Sequence, residues 1–288
     1  MTKREIDQVT GVETTGHEWD GIKELNKPLP RWWLLTFYAS IIWAIGYMIA
    51  YPAWPTLSGY TKGMLGYSQR AQVTSEVKAG VTAQAGMRDQ LEKTPLAQVK
   101  ANPELLRFAM TAGQSSFQTN CAPCHGRGAQ GAVGYPNLND DDWIWGGSID
   151  DIQKTILYGI RSDHKQTREN AMPRFGADGV LKDDQINDVA EYVLSLSKKG
   201  TDAAAATKGA VVFKEQCASC HGDDGKGKID MGAPNLTDDL WLYGGAKASV
   251  VESIRNSRAG AMPAWTGRLD ATTIKALAVY VHSLGGGK

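Results

Sequence analysis

The sequence predicts an all-α protein: two tandem domains of one kind, tethered to a single N-terminal transmembrane helix. Three observations predict it. One long apolar run near the N-terminus carries no charge, the rest of the chain holds an internal repeat, and apolar residues recur at helical spacing inside each copy. The chain has 288 residues, 31 basic and 31 acidic. That balance excludes nucleic-acid binding through bulk positive charge. Hydrophobic residues at 42% and charged residues at 22% exclude a disordered chain.

Residues 1–31 read as a polar tail with six acids. From Trp32 to Tyr51 no residue is charged, and only Thr36, Ser40 and Gly46 fall outside the hydrophobic set. As a helix this run is about 30 Å long, the thickness of a bilayer core. Trp32, Trp33, Tyr47 and Tyr51 stand at its ends, where amphipathic rings meet headgroups, and Pro52 and Pro55 stop the helix. The long acidic tail ahead of it argues for a retained anchor over 32–53 rather than a cleaved signal. Lys23, Lys27 and Arg31 before the span, against Lys62 and Arg70 after it, weakly favour a cytoplasmic N-terminus.

Residues 54–103, rich in Ala, Gln, Lys and Glu, read as a helical stalk. Two units follow, 104–198 and 203–288, joined by a linker around Lys198-Lys199-Gly200. Gly113 and Phe117 match Gly209 and Phe213. Pro136-Asn137-Leu138 matches Pro234-Asn235-Leu236, and Trp143-x-Trp145-Gly146-Gly147 matches Trp241-x-Tyr243-Gly244-Gly245. Ala171-Met172-Pro173 matches Ala261-Met262-Pro263, and Ala190-x-Tyr192-Val193 matches Ala278-x-Tyr280-Val281. The order is kept throughout, as duplication of one domain requires. Each copy reads as a helix ending at a cysteine motif, a Gly-rich loop, a middle helix, a Met-Pro loop and a last helix. Ile186, Val189, Ala190, Val193 and Leu194 line the last helix of the first copy; Ile274, Leu277, Ala278 and Val281 line that of the second.

All four cysteines fall in two copies of Cys-x-x-Cys-His, Cys121 to His125 and Cys217 to His221. This is the attachment signature of a c-type haem. Two thiols one helical turn apart face the same way and can each form a thioether with a haem vinyl group, and the adjacent histidine reaches the iron. Two such motifs inside a repeated domain point to two covalently bound haems. A four-cysteine zinc site would leave the repeated Met-Pro loops unexplained. Met172 and Met262, in those loops, are the candidate sixth ligands, and His/Met ligation raises a haem potential. Each Met can serve its own domain's iron or, with the loops exchanged, the other's; the sequence leaves both open. Pro136 and Pro234 either place a carbonyl against the axial imidazole or are plain turn residues. His17 in the tail, His164 in a segment by which the first copy exceeds the second, and His282, which aligns with Leu194, are poor ligand candidates. Residues 104–198 hold 9 basic and 13 acidic residues, and 203–288 hold 10 and 8. The acidic first copy is either a surface suited to a basic electron donor or an ordinary solvated face, and the sequence leaves both open.

The whole chain resembles the dihaem membrane subunit (subunit III, FixP/CcoP type) of cbb3-type haem–copper cytochrome c oxidases. The resemblance is carried most specifically by Thr15-Gly16-His17-Glu18-Trp19-Asp20-Gly21-Ile22 through Pro28-Leu29-Pro30-Arg31-Trp32-Trp33, and by Tyr51-Pro52-Ala53-Trp54-Pro55. It implies an inner-membrane, single-pass protein that takes electrons from a c-type cytochrome donor and passes them to the oxidase core. That core reduces oxygen and pumps protons, with a catalytic subunit and a monohaem cytochrome subunit as partners. It assigns Cys121, Cys124 and His125 to one haem c and Cys217, Cys220 and His221 to the other, with Met172 and Met262 as sixth ligands. No catalytic site of the chain's own is expected. Two rival readings are a free membrane-tethered dihaem shuttle, which leaves the tail unexplained, and a dihaem peroxidase, which needs one iron with an open position.

Overall fold

The computed structural model describes residues 5–285. The chain divides after Thr82 into two compact units. In the first, the tail forms a hairpin of β1 (Thr14–Trp19) and β2 (Ile22–Leu25), paired antiparallel with an irregularity between Thr14 and Glu18. Its turn is Asp20-Gly21, both residues at positive φ (48° and 85°), the backbone that a two-residue type I′ connection requires. The sequence reading of a plain polar tail passed over this Asp-Gly signal. Next, α1 (Arg31–Ala50) is the apolar run, and not one of its residues is buried. It is a helix that leaves every side open to an apolar solvent. A second small hairpin, β3 (Pro55–Thr56) and β4 (Gly59–Tyr60), follows it.

Of residues 54–103, the first part forms this second hairpin and a loop, and α2 spans Gln69–Lys93. Its end and the short α3 (Leu96–Val99) do not hang free: Leu91, Leu96 and Val99 are buried in the same core as the following helices. Lys275 donates hydrogen bonds to the carbonyls of Glu92 and Thr94, and Arg88 pairs with Asp270 at 2.7 Å.

The remaining helices are α4 (Pro103–Asn120), α5 (Ala122–His125), α6 (Ile149–Tyr158), α7 (Asp183–Leu196), α8 (Ala203–Gln216), α9 (Ala218–His221), α10 (Lys247–Asn256) and α11 (Ala271–Leu284). Local chemistry sets their starts. Asn102 accepts from the N–H groups of Glu104 and Leu105, with Pro103 in the first turn; Ser148, Asp202 and Asp270 cap α6, α8 and α11 in the same way.

The packing crosses between the repeats. α11, the last helix of the second repeat, packs on α4 and α6 of the first; α7, the last helix of the first repeat, packs on α8 and α10 of the second. One core therefore joins Leu105, Ala109, Phe117, Ile152 and Ile156 to Ile274, Leu277, Ala278 and Val281. The other joins Phe213, Val250 and Ile254 to Ile186, Val189, Ala190, Val193 and Leu194. The exchange is symmetric in detail. Phe117 meets the ring of Tyr280 at 5.4 Å, and Phe213 meets that of Tyr192 at 5.0 Å. Gly113 lies against the carbonyl of Ala276, and Gly209 against that of Asp188, so closely that a Cβ at either glycine would collide with backbone. These glycines let each helix pair cross in contact. Phe117 is fully buried, and truncating such a ring to Ala costs about 3–5 kcal/mol.

Candidate haem-binding sites

Each cysteine motif sits where a long helix ends and a single turn begins. α4 runs to Asn120, Cys121 caps it, and α5 carries the motif to His125; α8, Cys217 and α9 repeat this. The histidine N–H groups close the turn on Cys121 and Cys217 at 2.9 Å in both copies. Gly126 and Gly222, at φ 81° and 80°, then reverse the chain. They take a backbone conformation that side chains resist. The reversal lets Gly131 and Gly227 donate to the carbonyls of His125 and His221 at 2.8 and 2.7 Å.

The same loops bring back a carbonyl for each imidazole. His125 Nδ1 lies 3.1 Å from Pro136 O, and His221 Nδ1 lies 3.1 Å from Pro234 O. A carbonyl can only accept, so Nδ1 carries the hydrogen and Nε2 keeps its lone pair for a metal. Of the two readings of these prolines, the structure selects the carbonyl that orients the ring. Burial pulls both histidines below the ordinary imidazole range, the Pro carbonyls opposing it. Both are thus neutral at physiological pH, the form that ligates iron. None of the four cysteines is paired in a disulfide. Burial, with repulsion from the second thiol of each pair, pushes Cys121 and Cys217 up to about 11.

Met262 packs against the same core as Cys121, Ala122 and Trp143, whereas Met172 and Trp241 pack against the core that contains Cys217 and Ala218. Each Met therefore lies with the cysteine motif of the other repeat. The indole Nε1 atoms of Trp143 and Trp241 are buried with no hydrogen-bond partner among the described residues. A donor abandoned in this way costs roughly 1–3 kcal/mol. Its occurrence at matched positions beside both motifs fits a cofactor carrying acceptor groups. A haem, with an iron for the histidine and carboxylates for the indoles, meets the whole donor set.

The remaining histidines are placed by their own elements. His17 is on β1, and His164 stacks on Tyr158 with ring centroids 4.8 Å apart. His282 is buried within α11. Among the described residues no cluster of His, Cys, Asp and Glu is arranged to hold a bare metal ion. The two indoles were visible in the sequence only as repeat markers; their role needs the burial to be seen.

Comparison with known proteins agrees with this geometry. The family described as N-terminal domain of cytochrome oxidase-cbb3, FixP, matches residues 11–58. The family described as Cytochrome C oxidase, cbb3-type, subunit III, matches residues 108–193 and again 204–281. The chain is 57% identical over 288 residues to the cbb3-type cytochrome c oxidase subunit FixP of Bradyrhizobium sp. (strain ORS 278), covering 99% of this chain and 98% of that one. It is 54% identical over 295 residues to the CcoP subunit of Azospirillum brasilense, both chains covered in full. To the CcoP subunit of Cereibacter sphaeroides it is 53% identical over 276 residues, covering 96% and 95%. With tail, span and both repeats matched, the chain is a haem c-binding member of the FixP/CcoP family, subunit III of cbb3-type cytochrome c oxidases.

Proposed function

We propose that this chain is the dihaem electron-transfer subunit of a cbb3-type oxidase, taking electrons from a c-type cytochrome and delivering them to the oxygen-reducing, proton-pumping core. The observation that carries the reading is the doubled site: two Cys-x-x-Cys-His motifs, each histidine fixed by a Pro carbonyl at 3.1 Å, each facing a core into which a Met-Pro loop is packed.

In this reading Cys121 and Cys124 hold one haem c with His125 on the iron, and Cys217, Cys220 and His221 hold the second. By the packing of the Met-Pro loops, Met262 would be the sixth ligand to the first haem and Met172 to the second. When bound, each haem supplies a one-electron ferric/ferrous couple. The protein sets its working range. A neutral thioether from Met262 or Met172 would favour the ferrous state and raise the potential, and with His125 and His221 it would leave substrates no place on the iron. That suits relay of electrons and opposes the peroxidase alternative. The crossed packing binds both sites into one folded unit, so that neither site is assembled without the other repeat.

The protein is membrane-anchored, with α1 the one candidate span among the described residues. Thioether attachment to haem takes place outside the bacterial inner membrane, so residues 1–31 are assigned to the cytoplasm and the stalk and haem-bearing repeats to the periplasm. The catalytic subunit and the monohaem cytochrome subunit are the expected neighbours in the complex. The test is purification of the tagged chain from membranes. Large multi-span subunits should accompany it, and two haems per chain should survive denaturing extraction. A chain that purifies alone with both haems would support the free shuttle, and rapid peroxide turnover would support the peroxidase.

A further inference from the structure

Immediately after the span, the chain does something that a stalk leading into water has no reason to do. It folds back onto the end of α1. Met64 N–H donates to Ile49 O and Leu65 N–H to Ala50 O, both at 3.0 Å, while Tyr51 N–H takes Tyr47 O at 2.8 Å. These bonds satisfy terminal carbonyls that a helix ordinarily leaves to solvent. The return is tight. Gly63 lies against the carbonyl of Ala50, where a Cβ would collide, and Tyr67 meets the edge of Tyr51, itself stacked on Tyr47.

The side chains of this fold-back point outward and are apolar. Leu57, at the tip of the β3–β4 turn, is fully exposed; Met64 is 83% exposed, Tyr60 66% and Leu65 64%, and Trp54 stands half exposed beside them. Between Pro52 and Tyr67 the only charged residue is Lys62. A patch of this kind in water is a liability that folded proteins avoid.

We infer that residues 54–67 are a lipid-embedded collar, lying in the headgroup and upper acyl region of the outer leaflet around the end of α1. The inference rests on the reading of α1 as a membrane span. Three features favour lipid as the occupant. The patch is continuous, through backbone hydrogen bonds, with the last turn of the span. Its composition of Trp, Tyr, Leu and Met with one lysine and no acid matches an interface of acyl chains and phosphates. And the carbonyls it satisfies are those for which unmet hydrogen bonding is costly at membrane depth. Held at the interface by the collar, the span has a fixed depth.

The experiment uses the full-length holoprotein. All four native cysteines belong to the haem motifs, so Leu57→Cys introduces the single free thiol, with Met64→Cys as a second reporter and Lys78→Cys, exposed on α2, as the aqueous control. Each variant is reconstituted in nanodiscs of phosphatidylcholine and phosphatidylglycerol and treated with a charged, membrane-impermeant maleimide. The thiolate is the reacting form and a low dielectric disfavours it, so both collar thiols should react slower than the control by about tenfold or more. The isolated subunit and the assembled oxidase should behave alike. Collar thiols that react as fast as the control in nanodiscs overturn the proposal. Protection found only in the assembled oxidase also overturns it, because the occupant is then another subunit. Extraction of the subunit from native membranes by alkaline carbonate would instead remove the span itself, a failure separable from that of the collar.

Discussion

Met262 and Ile160 exchange both backbone hydrogen bonds, N–H to O in each direction at 2.9 Å, although Ile160 belongs to the first repeat and Met262 to the second. Trp265 and Thr266 extend the contact by donating to Ile156 and Leu157 O. The counterpart loop after Met172 is held in turn by the second repeat, with Phe175 N–H on Ile254 O and Gly176 N–H on Arg255 O. The Met-Pro loops are thus fixed by hydrogen bonds on the far repeat before any ligand is considered.

The first prediction follows from that placement. Met262→Leu keeps volume and removes the sulfur, so the fold should survive. It should lower the potential of the haem on Cys121 and Cys124, by on the order of 0.1 V within the roughly 0.8 V range that axial ligands command. Met172→Leu should do the same to the haem on Cys217 and Cys220. Each variant is combined with Cys→Ser loss of one haem and titrated spectroelectrochemically. A Met change that affects the haem of its own repeat would reject the crossed assignment.

The second prediction concerns assembly. The connection from α7 to α8 joins two helices that pack together in one core, so it does not bridge separate domains. A protease site placed after Lys199 and cut in the holoprotein should leave two pieces that co-elute in gel filtration with unchanged haem spectra. Independent domains on a string would separate at once.

How much of this was readable beforehand depends on which residues carry the signal. Cys-x-x-Cys-His is visible because covalent attachment demands those residues at that spacing. The apolar positions of α7 and α11 are visible because burial follows helical period, and all nine residues picked out there are buried. The exchange between repeats is not visible in composition, because Tyr192 and Tyr280 offer Phe117 and Phe213 the same ring. A usable clue lay in connection length. Only residues 197–202 separate α7 from α8, and helices joined so closely usually pack against each other. The collar escaped because its apolar residues lack periodicity, and the tail hairpin because its short strands are polar.

The third prediction tests the two indoles. If Trp143 donates to a haem carboxylate in the site of Cys121, Trp143→Phe keeps the ring and deletes one hydrogen bond to a charged acceptor. The potential of that haem should fall by less than in the Met262→Leu variant, because the positive end of the N–H no longer offsets the carboxylate charge. Holoprotein stability should drop by about 1.5–3 kcal/mol. Trp241→Phe should act on the other haem alone. Two unchanged potentials would mean that the indoles serve packing only.

The last prediction concerns Glu191, which occupies in α7 the position that Val279 holds in α11. Its side chain is 1% exposed yet charged. It pairs with Lys247 of α10 at 2.7 Å and accepts from Thr201 and Asp202 N–H at 2.9 and 3.2 Å, fastening the end of the linker to two helices. The hydrogen bond from Lys247, with those from the two backbone N–H groups, holds the carboxyl down at about 2. A carboxylate whose folded value lies below its unfolded value stabilises the fold above the unfolded value, near 4.5, and loses that contribution as pH falls toward 2. Lys247 is half exposed, so solvent weakens its share, and Glu191→Gln should cost about 2 kcal/mol at pH 7. Because Gln carries no charge at any pH, the gap between wild type and variant should shrink below pH 4.5 and nearly close at pH 2. Urea unfolding of both proteins at pH 7, 4 and 2.5 measures it. A gap that stays constant across this range would show that shape and hydrogen bonding, rather than the buried charge, fasten the linker to α7 and α10.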